Sequence, residues 1–161
     1  MIAELARRRC HALLLDSDEL RSVLTPDPSY SRSERDWFYG VIGYWAAWLA
    51  GNGLNVFVAA TGNRRSYRDD LRHLLDHFAE VHVRCAPRIC RERDPKGIYA
   101  RADQGDARTV PGRGVDYEAP LHPEATVETD TASESEAIAS LCAQLEPFLA
   151  PFCPPNDPGF G

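Results

Sequence analysis

Four short apolar runs, at 12–15 (ALLL), 55–60 (NVFVAA), 81–83 (VHV) and 125–129 (ATVET), alternate with stretches whose apolar residues recur at helical spacing. Strands separated by whole helices pair in parallel through right-handed crossovers, so the pattern predicts an α/β domain of three layers, a parallel sheet flanked by helices. Ligands of such sheets bind beyond the carboxyl ends of the strands, which directs attention to 16–21, 61–65, 85–87 and Asp130. The helices are expected at 17–24, with Ser17 as N-cap and Pro26 as stop, at 31–50, at 67–77, from Pro87, and at 133–149. In 31–50 the residues Trp37, Val41, Tyr44, Trp45, Trp48 and Leu49 define the apolar face. Residues 93–123 carry no periodicity and read as a long, lid-like loop, and 151–161 read as an irregular proline- and glycine-rich tail. Residues 1–150 thus form one expected domain; its first segment, AELARRR, resembles the end of a helix with no strand before it.

Charge narrows the partners. With 18 basic against 24 acidic residues the chain carries a net charge of −6, which argues against a nucleic-acid binder. No apolar run approaches the roughly 20 residues that span a bilayer, and the N-terminus lacks the pattern of a secretory signal, so no membrane partner and a cytoplasmic location are expected. The cysteines, Cys10, Cys85, Cys90, Cys142 and Cys153, show neither CxxC nor zinc spacing and read as reduced thiols.

The segment LLLDSDELR ends an apolar strand in two carboxylates, Asp16 and Asp18, with Arg21 one helical turn further on. Carboxylates there can accept a proton from a substrate hydroxyl or hold Mg²⁺ through water; an N-cap and a surface carboxylate are the plainer account. Arg91, Arg93, Lys96 and Arg101 cluster around Pro95 and Gly97, where cationic side chains could close over phosphates or could belong to a solvated loop. Arg64, Arg65, Arg68 and Arg72 read as an exposed helix face rather than an anion site. His73 and His77 lie one turn apart with no third ligand evident. The aromatic stripe of 31–50 reads as packing, with base stacking or a homodimer face as alternatives.

Taken in order, LLLDSDELR, PSYSRSER, RDPKGIY, TVPG and VDYEAP resemble the DGDxxR, LGFS-DR, RDPKGLY, NFTG and DPYEAP motifs of adenylylsulfate kinases. That P-loop kinase family phosphorylates the 3′-hydroxyl of adenosine 5′-phosphosulfate with ATP in sulfate assimilation. The resemblance covers residues 1 to about 130. It implies Asp18 as the catalytic carboxylate near hydroxyl and magnesium, with Asp16 supporting the loop; Arg21 and Arg35 on the phosphosulfate; Tyr30 against the adenine; Lys96 on the nucleotide substrate. Thr61 and Val110 stand where the family contacts substrate, and Arg93, Lys96 and Arg101 where its lid meets ATP. ATP and Mg²⁺ are the implied cofactors, and a small nucleotide the implied partner.

The departures are equally specific. Phe38 replaces the family's asparagine, Gly40 and Val41 its two arginines, 60–63 (ATGN) its FISP loop, and Val110 the NFTG phenylalanine. The sequence contains no G-x-x-x-x-G-K-[ST] phosphate cradle, and its one lysine is Lys96. From this follow three expectations: a gap in the sheet where the cradle's strand belongs, an acceptor other than adenylylsulfate as the alternative substrate, and a nucleotide-binding module without transfer as the alternative to a kinase.

Overall fold

The computed structural model describes residues 2–7, 10–94, 116–149 and 151. Helix α1 (Ile2–Arg7) leads into strand β1 (Ala12–Asp16), then come α2 (Ser17–Leu24), α3 (Arg32–Gly51), β2 (Asn55–Ala59), α4 (Arg65–Leu74), β3 (Val81–Arg84), α5 (Pro87–Arg93), β4 (Ala125–Glu128) and α6 (Glu134–Leu149). The elements start where the local chemistry permits. Ser31 caps α3, its hydroxyl accepting from the Glu34 amide at 3.3 Å, and Gly53, at a φ of +82°, turns the chain after that helix. Pro87 sits in the first turn of α5, where no amide is needed. At α6 the Ser133 hydroxyl accepts from the Glu136 amide at 3.3 Å while the Glu136 carboxylate accepts from the Ser133 amide at 2.9 Å, a reciprocal capping box. The helix expected at 67–77 begins and ends earlier, at Arg65–Leu74.

All strand pairs are parallel, as expected. β1 lies beside β2 with Ala12 opposite Asn55 and Asp16 opposite Ala59, and β3 beside β4 with Val81 opposite Ala125. The two pairs are not hydrogen-bonded to each other, so among the described residues the strands form two separate two-stranded sheets. Apolar residues of three strands stay uncovered: Leu13, Leu14, Val58 and Val83 are exposed. α3 packs on β2, and α6 on β4. The buried apolar residues follow this division, with Leu5, Cys10, Phe38, Ile42 and Ala46 on one side and Ala125, Val127, Cys142 and Leu145 on the other.

Three readings of the sequence are corrected here. The buried face of α3 is Arg35, Phe38, Ile42 and Ala46, whereas Trp37, Tyr44, Trp45 and Trp48 are exposed and touch edge-to-face along Tyr44–Trp45–Trp48. Cys10 is disulfide-bonded, where a reduced thiol was expected, while Cys85, Cys90 and Cys142 form no disulfide. Arg68 and Arg72 are not a solvated face. Arg68 pairs with Glu80 and donates to the Gly62 carbonyl and, at 2.6 Å, to the Glu118 carbonyl. Arg72 grips both oxygens of Glu124, at 2.5 and 2.8 Å, and Glu124 also accepts from the Glu80 amide at 2.6 Å. Bidentate geometry holds the Glu124 carboxyl below the usual carboxylate range, chiefly through its bonds from Arg72. Through this network α4 fastens the start of β3 and the segment before β4 to the loop after β2.

Candidate functional site

The carboxyl end of β1 carries the first candidate residues. Asp16 is the last residue of the strand and, rather than Ser17, the N-cap of α2: its Oδ1 accepts from the Asp18 amide at 2.8 Å and the Glu19 amide at 3.4 Å. A carboxylate committed to two amides fixes a turn. What that turn presents is Asp18, exposed in the first turn of α2.

Arg21 lies on the same short helix. Its Nη1 donates to Glu34 Oε1 at 2.8 Å and to Thr25 Oγ1 at 3.4 Å, and its guanidinium lies 3.8 Å from the Phe38 ring centroid and 5.0 Å from that of Tyr30. The Phe38 substitution therefore places a flat apolar surface under this guanidinium. Glu34 links the cluster to the preceding turn, since its Oε2 accepts from the Ser29 amide and the Ser29 hydroxyl, both at 2.6 Å. These bonds, the Ser29 hydroxyl first, lower the Glu34 pKa. Arg35 is buried and donates through Nε to the Tyr30 carbonyl at 3.1 Å, with its guanidinium 5.5 Å from the Tyr30 ring centroid. Tyr30 takes a φ of +54°, a left-handed conformation costly for a residue with a Cβ, and its ring is 38% exposed. Two arginines thus hold in place a strained, partly open tyrosine.

The other candidates scatter. Thr61 is exposed in the loop after β2, where Gly62, at a φ of +47°, donates its amide to the Tyr39 hydroxyl at 3.1 Å. Tyr39 stacks on Tyr67, with centroids 4.5 Å apart, and Tyr67 donates to Asp36 at 2.6 Å. Asn63 is 2% exposed; its Nδ2 donates to the Asp116 carbonyl at 3.2 Å, and its own carbonyl accepts from the Glu118 amide at 2.8 Å. Glu118 in turn accepts from the Arg65 amide at 2.8 Å. The rewritten loop 60–63 is therefore where DYEAP is anchored. Arg93 ends α5 and donates to the Thr129 carbonyl at 2.7 Å. Lys96, Arg101 and Val110 lie outside the described residues. The structure gathers Asp16, Asp18, Arg21, Tyr30 and Arg35 on contiguous elements, while Thr61 and Arg93 stand on the loops after β2 and at the end of α5. Glu34 is the member that sequence reasoning missed; its position three residues after the capping Ser31 was the available signal.

A family model described as adenylylsulphate kinase matches residues 1–128. The chain belongs to the adenylylsulphate kinase family. It is 35% identical over 133 residues to the adenylyl-sulfate kinase of Rippkaea orientalis, covering 83% of this chain and 74% of that protein. To a probable bifunctional SAT/APS kinase 2 of Sorangium cellulosum it is 36% identical over 144 residues, covering 89% of this chain but 25% of that longer protein. Among solved structures it resembles the Mycobacterium tuberculosis APS kinase CysC in complex with AMPPNP and APS, with a TM-score of 0.78 and 28% identity over 89% of this chain and 85% of that one. The α/β architecture is that of the family's P-loop kinases, and the function these matches support is adenylylsulfate-kinase-like. Among the described residues no helix is long and apolar enough to cross a membrane.

Proposed function

We propose that the cluster at the end of β1 is the acceptor half of an adenylylsulfate kinase site, binding the phosphosulfate nucleotide and orienting its 3′-hydroxyl for phosphorylation. The observation that carries this reading is the Arg21–Tyr30–Arg35 cluster beside the Asp16-capped turn. Arg21 spends only Nη1 on protein acceptors among the described residues, so its Nε and Nη2 remain to bind an anion as a fork. The exposed Tyr30 ring offers a stacking surface for a base, and its strain is the kind that persists at binding sites. Asp18, exposed in the first turn of α2, orients the hydroxyl and takes its proton as the bond to phosphorus forms.

ATP and Mg²⁺ are implied by the family and by the AMPPNP complex of the similar solved kinase. MgATP supplies the γ-phosphoryl group when bound. The residues present do not form a cradle for its phosphates: the sequence has no G-x-x-x-x-G-K-[ST], and its one lysine is Lys96. The chemistry assigned to this chain is therefore confined to the acceptor.

Calorimetric titration with adenosine 5′-phosphosulfate tests the reading. Saturable binding without ATP, weakened about 100-fold in R21A, is the expected result; no detectable binding to the unmodified protein sinks it. The same titration bears on the second reading, a module that binds nucleotide without transferring phosphate, which the missing cradle favours. Binding that persists, with no phosphoryl transfer after a strand and phosphate cradle are fused ahead of α1, selects the module. Transfer to another hydroxyl compound but not to adenylylsulfate selects a different acceptor.

A further inference from the structure

Cys85 follows β3 directly, and Cys90 lies in the first turns of α5, whose cap residue Ala86 accepts from the Cys90 amide at 3.0 Å. Both thiols are free and half-buried. The Cys90 thiol donates to the Cys85 carbonyl at 3.8 Å, which brings the two cysteines side by side. Arg93, one turn further along α5, brings Nη1 to 4.0 Å from the Cys85 sulfur while its Nη2 is anchored on Thr129. Two adjacent thiols with a guanidinium on one of them form a built pair. From this arrangement we infer that Cys85 and Cys90 are a redox-modification site, closing to a reversible disulfide at the carboxyl end of β3.

The roles of the two sulfurs differ. Arg93 sets its Nη1 against the Cys85 sulfur, and this cationic contact assigns the attack to Cys85. Burial, then the bond to Cys85, pushes the Cys90 thiol up from its ordinary range, which suits it to resolve rather than to initiate. The oxidant is a low-molecular-weight disulfide. The Cys85 thiolate attacks one of its sulfurs, the reagent's S–S bond breaks, and one thiolate leaves with Cys85 in a mixed disulfide. Cys90, losing its proton to solvent, attacks the Cys85 sulfur and expels the second thiolate. Two protein thiols are oxidised, and the reagent gains two electrons and two protons as two thiols. Cys142, 1% exposed, has no such access.

The inference does not depend on what the β1 cluster binds. Its test uses the full chain, oxidised glutathione and trypsin, whose cleavage after Arg84, Arg88 and Arg91 puts Cys85 and Cys90 on separate peptides. The expected product is peptide 85–88 linked to 89–91, lighter than the separate peptides by the mass of two hydrogens and lost on treatment with dithiothreitol. In C90S glutathione should stay trapped on Cys85. In C85S modification of Cys90 should be about tenfold slower, and R93A should slow the first step at Cys85 several-fold with an unchanged circular dichroism spectrum. Glutathione remaining on Cys85 of the unmodified protein without the linked peptide overturns the pair. Linkage of either cysteine to a different one, or C85S reacting as fast as the unmodified protein, overturns it equally.

Discussion

Two arginine clusters occupy this fold, and they differ in what their guanidinium groups are given to hold. Arg68 and Arg72 on α4 are met by Glu80, Glu124 and two backbone carbonyls, so their donors are committed inside the protein. Arg21 is met by one carboxylate and one hydroxyl, both on Nη1, and otherwise by the faces of Phe38 and Tyr30. An aromatic face orients a guanidinium without using its hydrogen-bond donors. The same residue type thus fastens the chain in one place and keeps recognition capacity in the other.

The comparison breaks most visibly at α4. Arg68 is 16% exposed in its side chain and Glu80 is 9% exposed, so R68A strips a buried carboxylate of its nearer partner, leaving Arg72 at 3.7 Å, and should cost about 3 kcal/mol in urea unfolding. Nucleotide affinity of the folded fraction should stay within twofold. The reverse split is expected at Arg21: R21A should lose about 100-fold in affinity for the nucleotide while unfolding shifts by about 1 kcal/mol, read by calorimetry and urea denaturation on the same sample. A stability loss in R21A as large as that of R68A would erase the distinction.

Tyr30 sharpens it further. Y30G releases the left-handed strain but removes the ring, so stability should hold or rise by up to about 1 kcal/mol while affinity falls about tenfold. Acid should affect both clusters through their carboxylates. Glu34, through its Ser29 bonds, and Glu124, through Arg72, have pKa values lowered on folding from the ordinary 4.5. Their contribution is fully present above that ordinary value and is lost as pH falls through the lowered folded values. E124Q should flatten the acid limb of a stability profile at the α4 cluster, and E34Q should do so with an accompanying loss of nucleotide affinity. The smallest effect is expected at Arg88–Glu92, an i, i+4 pair with both side chains more than half exposed, where E92Q should leave the unfolding midpoint within error.

The strand–helix alternation was legible because it depends on residues close in sequence, and the parallel pairing followed from it because a strand–helix–strand crossover leaves its strands parallel. Pro87 and Ser31 placed their helices by equally local signals. The buried face of α3 was misread because that helix carries large apolar residues all round: Trp37, Tyr44, Trp45 and Trp48 outline one plausible face, and Phe38, Ile42 and Ala46 the one used. Periodicity fixes a helix, but it does not choose between two apolar faces. Arg72 was read as solvated because its partner Glu124 is 52 residues away, and Arg68 because Glu118 is 50 away. Glu34 was passed over because its link to Arg21 spans 13 residues and a loop. That the sequence holds no G-x-x-x-x-G-K-[ST] motif was read directly from it.

That long reach from α4 has a consequence for the order in which the chain is made. Synthesis proceeds from the N-terminus, so Arg68 and Arg72 leave the ribosome well before Glu118 and Glu124, the residues that neutralise or accept from them. During that interval β1, β2 and α3 can already assemble, while α4 carries guanidinium groups awaiting the carboxylate and carbonyl that arrive with the segment before β4. The chain made as far as residue 117 carries 18 basic against 16 acidic residues, a net charge of +2, and the acidic segment that follows brings the finished protein to −6.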